Sequence, residues 1–198
     1  MPRKVVPAPT RHGPRVQLTV PSRADESAVL ALNRRSRAFH KPWISPPRTP
    51  RQFSQYLARC RRPDFIGLLL RRRADQVLLG AVELSQIARG AFQSAYLGYH
   101  IGAPFARQGY MREGLGLVLD YAFRQLRLHR LEANIQPANV ASIALVEPLG
   151  FHREGYSPRY LKLGGRWRDH ERWAILAEDW RGSGVQGGRS RSVRQLPN

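Results

Sequence analysis

Residues 102–116 read GAPFARQGYMREGLG, and the fold turns on whether this stretch joins a strand to a helix. Before it, Ser94 to Ile101 reads as a strand. After it, Leu115, Val118, Leu119, Ala122 and Leu126 share one helical face, with Glu113 in the first turn and Arg124 and Arg127 near the end, the charge order a helix dipole favours. Gly102, Pro104 and Gly109 punctuate the turn between them. A helix start leaves backbone N–H groups without partners, and Ser, Thr, Asp or Asn usually supplies an acceptor. None of these stands just before Arg112. Two readings are open: an ordinary turn whose amides bind water, or an anion site, because successive N–H groups around a glycine at a helix N-terminus suit a phosphate.

Upstream, Phe65 to Arg71 and Val77 to Leu84 join Ser94 to Ile101 through polar turns, which predicts an antiparallel meander. Further back, Val16 to Val20 reads as a short strand, and Ser22 caps a helix running through Ala28, Leu30 and Leu32 toward Arg37. Thr49-Pro50-Arg51-Gln52 reads as a capping box with proline at the first helical position, opening a helix that runs to about Cys60. Downstream, Leu131 to Ile135 makes a strand, and Asn139 caps a short helix that Pro148 should kink and Gly150 should stop. Residues 157–163 and 167–176 are strand-like runs around a Gly164-Gly165 hairpin turn. Strands first antiparallel and then separated by crossover helices imply an α/β (α+β) fold, a mixed sheet of about seven strands with helices packed on it. One domain over residues 16–180 is expected, with mobile basic segments at 1–15 and 181–198, where Gly, Pro, Ser and Arg dominate.

The 198 residues carry 33 Lys plus Arg against 14 Asp plus Glu, and the resulting net charge of +19 is spread along the chain. Such a field attracts polyanions: nucleic acid, an anionic membrane or a phosphate-rich small ligand. A single cysteine, Cys60, excludes an internal disulfide and a cysteine-rich zinc site. The six histidines form no H-x3-H pair, so no metal is expected. There is no long apolar run and no signal peptide, so a cytoplasmic location without a membrane partner is expected.

A set of ordered segments resembles the GNAT-superfamily acetyltransferases, of the type that acetylates the N-terminal alanine of a ribosomal protein (RimJ type). They are Asn33-Arg34-Arg35, Phe39-His40-Lys41-Pro42-Trp43, Arg89-Gly90, Tyr96-Leu97-Gly98-Tyr99, Gly109-Tyr110-Met111 with Glu113, Pro137-Ala138-Asn139, Leu149-Gly150-Phe151, Glu154-Gly155-Tyr156 and Gly165-Arg166-Trp167-Arg168-Asp169-His170. The resemblance implies acetyl-CoA as co-substrate, held where two parallel strands of the sheet splay apart. Its pantetheine would pair with the main chain of Tyr99, His100 and Ile101, and its pyrophosphate would rest on the amides of Arg107, Gln108, Gly109, Tyr110, Met111 and Arg112. The chain departs from the superfamily loop pattern at both ends, with Ala106 where Gln or Arg is usual and Met111 where Gly or Ala is usual. The resemblance also gives Asn139 a bond to the pantetheine arm beyond its capping role, and places Ser142 near the CoA sulfur. Many relatives carry a tyrosine acid four residues past that serine; here the position is Val146, which leaves Ser142, or a water it orients, as the proton donor.

The acceptor amine must lose a proton. An α-amino group, with a pKa of about 7.7–8, needs only a modest base, whereas a lysine at about 10.4 needs far more help. Glu83, inside the apolar run LLGAVEL, is either the solvent face of a strand or a water-relayed base; Glu154 and His170 compete with it. No Ser-His-Asp arrangement is present, and none is required, because an oriented amine can attack a bound thioester directly. The Asn33 to Trp43 segment is either a solvated helix end or the wall of an acceptor cleft with His40, Trp43 and His170 as contacts. Two function classes therefore stand: an N-acetyltransferase acting on a protein N-terminus, with small amines as a variant, and an RNA- or ribosome-associated binding protein. No helix-turn-helix or RNP-like strand supports the second.

Overall fold

The computed structural model describes residues 11–182. One sheet runs through it in the order β1-β2-β3-β4-β5-β6-β8-β7. Its strands are β1 (Arg11–His12), β2 (Val16–Thr19), β3 (Phe65–Arg72), β4 (Leu78–Ala88), β5 (Ser94–Ile101), β6 (Arg130–Ile135), β7 (His152–Leu163) and β8 (Arg166–Leu176). Neighbours pair antiparallel except β5 and β6, whose parallel register covers only Ser94 to Tyr96 against Arg130 to Glu132. The count is eight rather than about seven because Arg11–His12 pairs with Leu18 and Gln17. That pairing also brings residues 11–15, expected to be mobile, into the fold; residues 1–10 and 183–198 lie outside the described residues.

Both sheet faces are covered around β3, which is why Leu68-Leu69-Leu70 is continuously apolar rather than alternating. On one face, Leu68 and Leu70 join the larger core with helix α4 (Tyr110–Asp120) and with Val146 of helix α5 (Val140–Val146). On the other, Phe65 and Leu69 pack under α1 (Glu26–Arg35) and α3 (Pro50–Arg59), through Val29, Leu30, Leu32, Phe53 and Tyr56. This second core ends at Leu78 and Ala81 of β4. A short α2 (Arg37–His40) follows α1.

Local signals hold at the caps. The Thr49 hydroxyl accepts from Gln52 N–H at 3.3 Å, while the Gln52 side chain reaches back to Arg48 N–H at 2.8 Å, one residue before the expected box partner. At Ser22 the expected cap differs: its N–H and hydroxyl both donate to Asp25, and Arg23–Asp25 forms a 3-10 turn before α1 begins at Glu26. The expected kink at Pro148 takes the form of a 3-10 turn over Glu147–Leu149, ended by Gly150 at φ 94°. Among the described residues no helix is long and apolar enough to cross a membrane.

Candidate active site

Beyond Tyr96 and Glu132 the parallel strands separate, and β5 continues to Ile101 with one edge against β4 and the other on a gap. Register tells which groups face that gap. Gly102 N–H donates to Leu79 O at 2.7 Å, so by alternation the main chains of Gly98 and His100 also point to β4, and those of Tyr99 and Ile101 point into the gap. His40 Nε2 lies 2.8 Å from the Ile101 carbonyl oxygen, which occupies that position. Within the expected run, Tyr99 and Ile101 turn their main-chain groups into the gap, with the Ile101 carbonyl held by His40, while His100 pairs with β4.

The Tyr99 side chain crosses to α5, with its hydroxyl 2.6 Å from Ser142 Oγ. Burial pushes the Tyr99 phenol up to about 12, the Ser142 bond pulling the other way, so it stays protonated near neutral pH. Asn139 accepts from Ser142 N–H at 3.3 Å through Oδ1, the cap its sequence position predicts, and its Nδ2 has no partner among the described residues.

At the mouth of α4, Gly109 takes φ 78°, Arg107 φ 61°, and no side chain caps the helix. The N–H groups of residues 107–112 have no acceptor among the described residues; the first helical amide that finds one is Glu113, at 3.1 Å from Gly109 O. Six successive amides beside a helix dipole make a cradle for an anion. Met111 is buried in the core, which anchors the loop while Arg107 and Arg112 remain exposed.

On the opposite side of the sheet, Glu83 sits in a cross-strand row between Gly67 and Gly98. The missing side chain at 67 makes room for the Tyr56 hydroxyl and Cys60 thiol of the α3 region, which a Cβ there would strike. Glu83, His100, Asn33 and Tyr56 line a cavity of about 10 Å³, room for roughly one water molecule. Burial raises the Glu83 carboxyl above its ordinary range, partly countered by Arg59, whose guanidinium stands at 3.8 Å. His100 is pushed down to about 3 by burial and then by His40, so it faces the cavity uncharged.

The Acetyltransferase (GNAT) domain pattern matches residues 15–152. The chain belongs to the GNAT acetyltransferase family. In the acetyltransferase named "Probable N-acetyltransferase YjcK" of Bacillus subtilis, 38% of 129 residues are identical, a match over 65% of this chain and 71% of that one. [Ribosomal protein uS5]-alanine N-acetyltransferase of Escherichia coli is 39% identical over 106 residues, 54% of this chain and 55% of that enzyme. Spermidine N(1)-acetyltransferase of Vibrio cholerae is 31% identical over 103 residues, 52% of this chain and 59% of that one. Among solved structures, Mycobacterium smegmatis RimJ in complex with CoA-disulfide superposes with a TM-score of 0.78 at 26% identity, covering 85% of each chain.

GNAT acetyltransferases draw the acetyl group from acetyl-CoA, and the residues present fit it. The amides of residues 107–112 suit its pyrophosphate, and the free main-chain pair of Tyr99 with the Asn139 Nδ2 suits its amide-bearing arm. Other expected residues fall elsewhere. His40 is buried and braces the Ile101 carbonyl, so it supports the cleft wall instead of presenting itself to an acceptor. Trp43 accepts at its carbonyl from Gln136 Nε2 at 3.5 Å, tying the Trp43 loop to the end of β6. His170 is 2% exposed, holds Nδ1 against Arg168 O at 2.9 Å and packs near Tyr160, and burial lowers its pKa. Glu154 is paired with Arg130, a bond that holds its carboxyl low and makes it a poorer base than Glu83. Sequence reasoning missed the Tyr99 hydroxyl as the partner of Ser142, because residues 43 apart in sequence meet only across the folded gap.

Proposed function

We propose that this acetyltransferase modifies the N-terminal α-amino group of a protein, and that the protein is a ribosomal protein beginning with alanine. The observation that carries the reading is the state of the carboxylates on β4, β6, β7 and β8. Glu132 is bonded to Arg130 at 2.9 Å, Glu171 to Arg153 at 3.0 Å, and Glu154 to Arg130. Glu83, by contrast, is only loosely paired, with the Arg59 guanidinium at 3.8 Å. A polyamine carries several positive charges and needs several uncommitted carboxylates, whereas a single α-amine needs one base. The identity to the uS5-alanine enzyme supports the same choice.

Acetyl-CoA supplies the activated acetyl thioester. Glu83 receives the proton of the incoming amine, directly or through a water in its cavity. Ser142 Oγ, backed by the Tyr99 hydroxyl, holds a proton at the α5 side of the gap, where a departing thiolate needs one. Tyr99→Phe and Ser142→Ala should each lower kcat by about 10–100-fold. Because the two hydroxyls act as one unit, the double variant should be no slower than the slower single; multiplicative losses in steady-state rates would show that they act separately.

The function is tested with octapeptides beginning with Ala, the same peptides N-acetylated beforehand, and spermidine. Mass spectrometry should place the new acetyl group on the free α-amine, with kcat/KM at least about 100-fold above that for spermidine. A preference for spermidine would overturn the reading. The net charge of +19 repels a free basic ribosomal protein, so the acceptor is read as presented on an RNA-rich particle. Activity on ribosomal particles should then fall more steeply with salt than activity on a neutral peptide, and equal slopes would remove that part of the proposal.

A further inference from the structure

Arg15, at the entrance to β2, is bound to the α4 loop although 93 residues separate it from Gln108. Its backbone N–H donates to Glu113 Oε1 at 2.7 Å, its Nε donates to Glu113 Oε2 at 3.0 Å, and Val16 N–H adds a bond to Oε1 at 3.0 Å. Its NH1 donates to the Gln108 carbonyl at 3.1 Å, and the guanidinium lies 4.9 Å from the centre of the Tyr110 ring. A Cβ placed on Gly109 would come within 3.1 Å of Arg15 NH2.

Two consequences follow from elementary geometry and charge. Glu113 is the acidic residue in the first turn of α4, and a loose carboxylate there would fold onto the free amides and repel a phosphate. Arg15 and Val16 use both of its oxygens and hold it away. Second, a trans peptide places C=O and N–H on opposite sides of one plane. Fixing the Gln108 carbonyl on Arg15 therefore turns the Gly109 N–H away from the protein, toward the place an anion would take.

We propose that Arg15 is a positioning residue for the pyrophosphate of acetyl-CoA: it fixes the 108–109 peptide with its N–H outward and withdraws Glu113 from the cradle. The proposal rests on acetyl-CoA as the donor and is independent of which amine is the acceptor.

Calorimetric titration of wild type, Arg15→Ala, Arg15→Lys and Arg15→Ala/Glu113→Gln with CoA and with dephospho-CoA tests it, with melting temperatures recorded for each. Arg15→Ala should weaken both ligands by the same factor, about tenfold or more, because both carry the pyrophosphate. Arg15→Lys, which keeps the charge without the forked reach, should fall between. Glu113 keeps the bonds to its Oε1 from the backbone N–H groups of residues 15 and 16, but its charge loses the guanidinium, so removing that charge in the double variant should recover part of the loss. Unchanged affinity in Arg15→Ala overturns the proposal, and so does a loss confined to CoA, which would make Arg15 a 3′-phosphate ligand. If Arg15→Ala melts below the titration temperature, Arg15→Lys decides on the same two criteria. Failure of wild type to bind CoA would instead overturn the donor assignment of the loop.

Discussion

Gly109→Asp should leave the free protein folded and abolish its binding of CoA. Gly109 sits at φ 78° at the mouth of α4, with the free amides of residues 107–112 around it. Asp tolerates the left-handed region better than most residues, so the backbone cost is about 1 kcal/mol, and its carboxylate recovers a similar amount by accepting from those amides. Stability should therefore change little, with the melting temperature moving by no more than about 5 °C. Binding has no such compensation. The new carboxylate occupies the anion site, and at about 5 Å from a phosphate charge, with an effective dielectric constant near 20, repulsion costs roughly 3 kcal/mol per charge pair. The dissociation constant for CoA should rise at least about 100-fold in calorimetry. A variant that unfolds along with its loss of binding would mean that Gly109 serves the turn; a folded variant that binds normally would mean that the pyrophosphate lies elsewhere.

What could be read from the one-dimensional chain divides by the range of the interaction. The bounds of β5, the Asn139 cap and the stop at Gly150 depend on residues within a few positions of each other and stand as expected, whereas of the expected helix face only Leu115, Val118 and Leu119 lie on α4, with Ala122 in a π-helical turn over Tyr121–Gln125 and Leu126 after it. The start of β7 at His152 was not legible, because Arg153, Glu154 and Tyr156 are exposed or nearly so and carry no alternating apolar pattern; only pairing with β8 defines the strand. The role of Arg15 was hidden for a related reason. Its neighbours in sequence, His12, Gly13 and Pro14, signal a loose end, and its partner Glu113 lies 98 residues away. The same holds for His40, whose partner is the carbonyl of Ile101, a main-chain group that no residue type announces. Glu83 was visible as a charge in an apolar run, but the two flanking glycines that open space around it belong to other strands, and register alone brings them together.

Glu83→Gln should reduce kcat by about 10²–10³-fold while CoA binding stays as in wild type. The groups around the carboxylate decide the pH profile. Burial disfavours its charged form and raises its pKa above the ordinary carboxylate value, while Arg59 from α3 favours the charged form and limits the rise. His100 from β5 is neutral across the working range, since its pKa lies at about 3. A base must be ionised to accept a proton, so with Glu83 in its proposed role activity should appear as pH climbs through the raised Glu83 pKa and be lost as pH falls back through it. A second, higher limb belongs to the acceptor amine, near pH 7.7–8 for an α-amino group. In Glu83→Gln the lower limb of kcat/KM should vanish and the amine limb remain. Arg59→Ala removes the cation that favours the carboxylate, so the lower limb should move to higher pH, a shift in position that loss of a merely structural contact would not produce. Persistence of the lower limb in Glu83→Gln at near-normal rate would transfer the base role to another group.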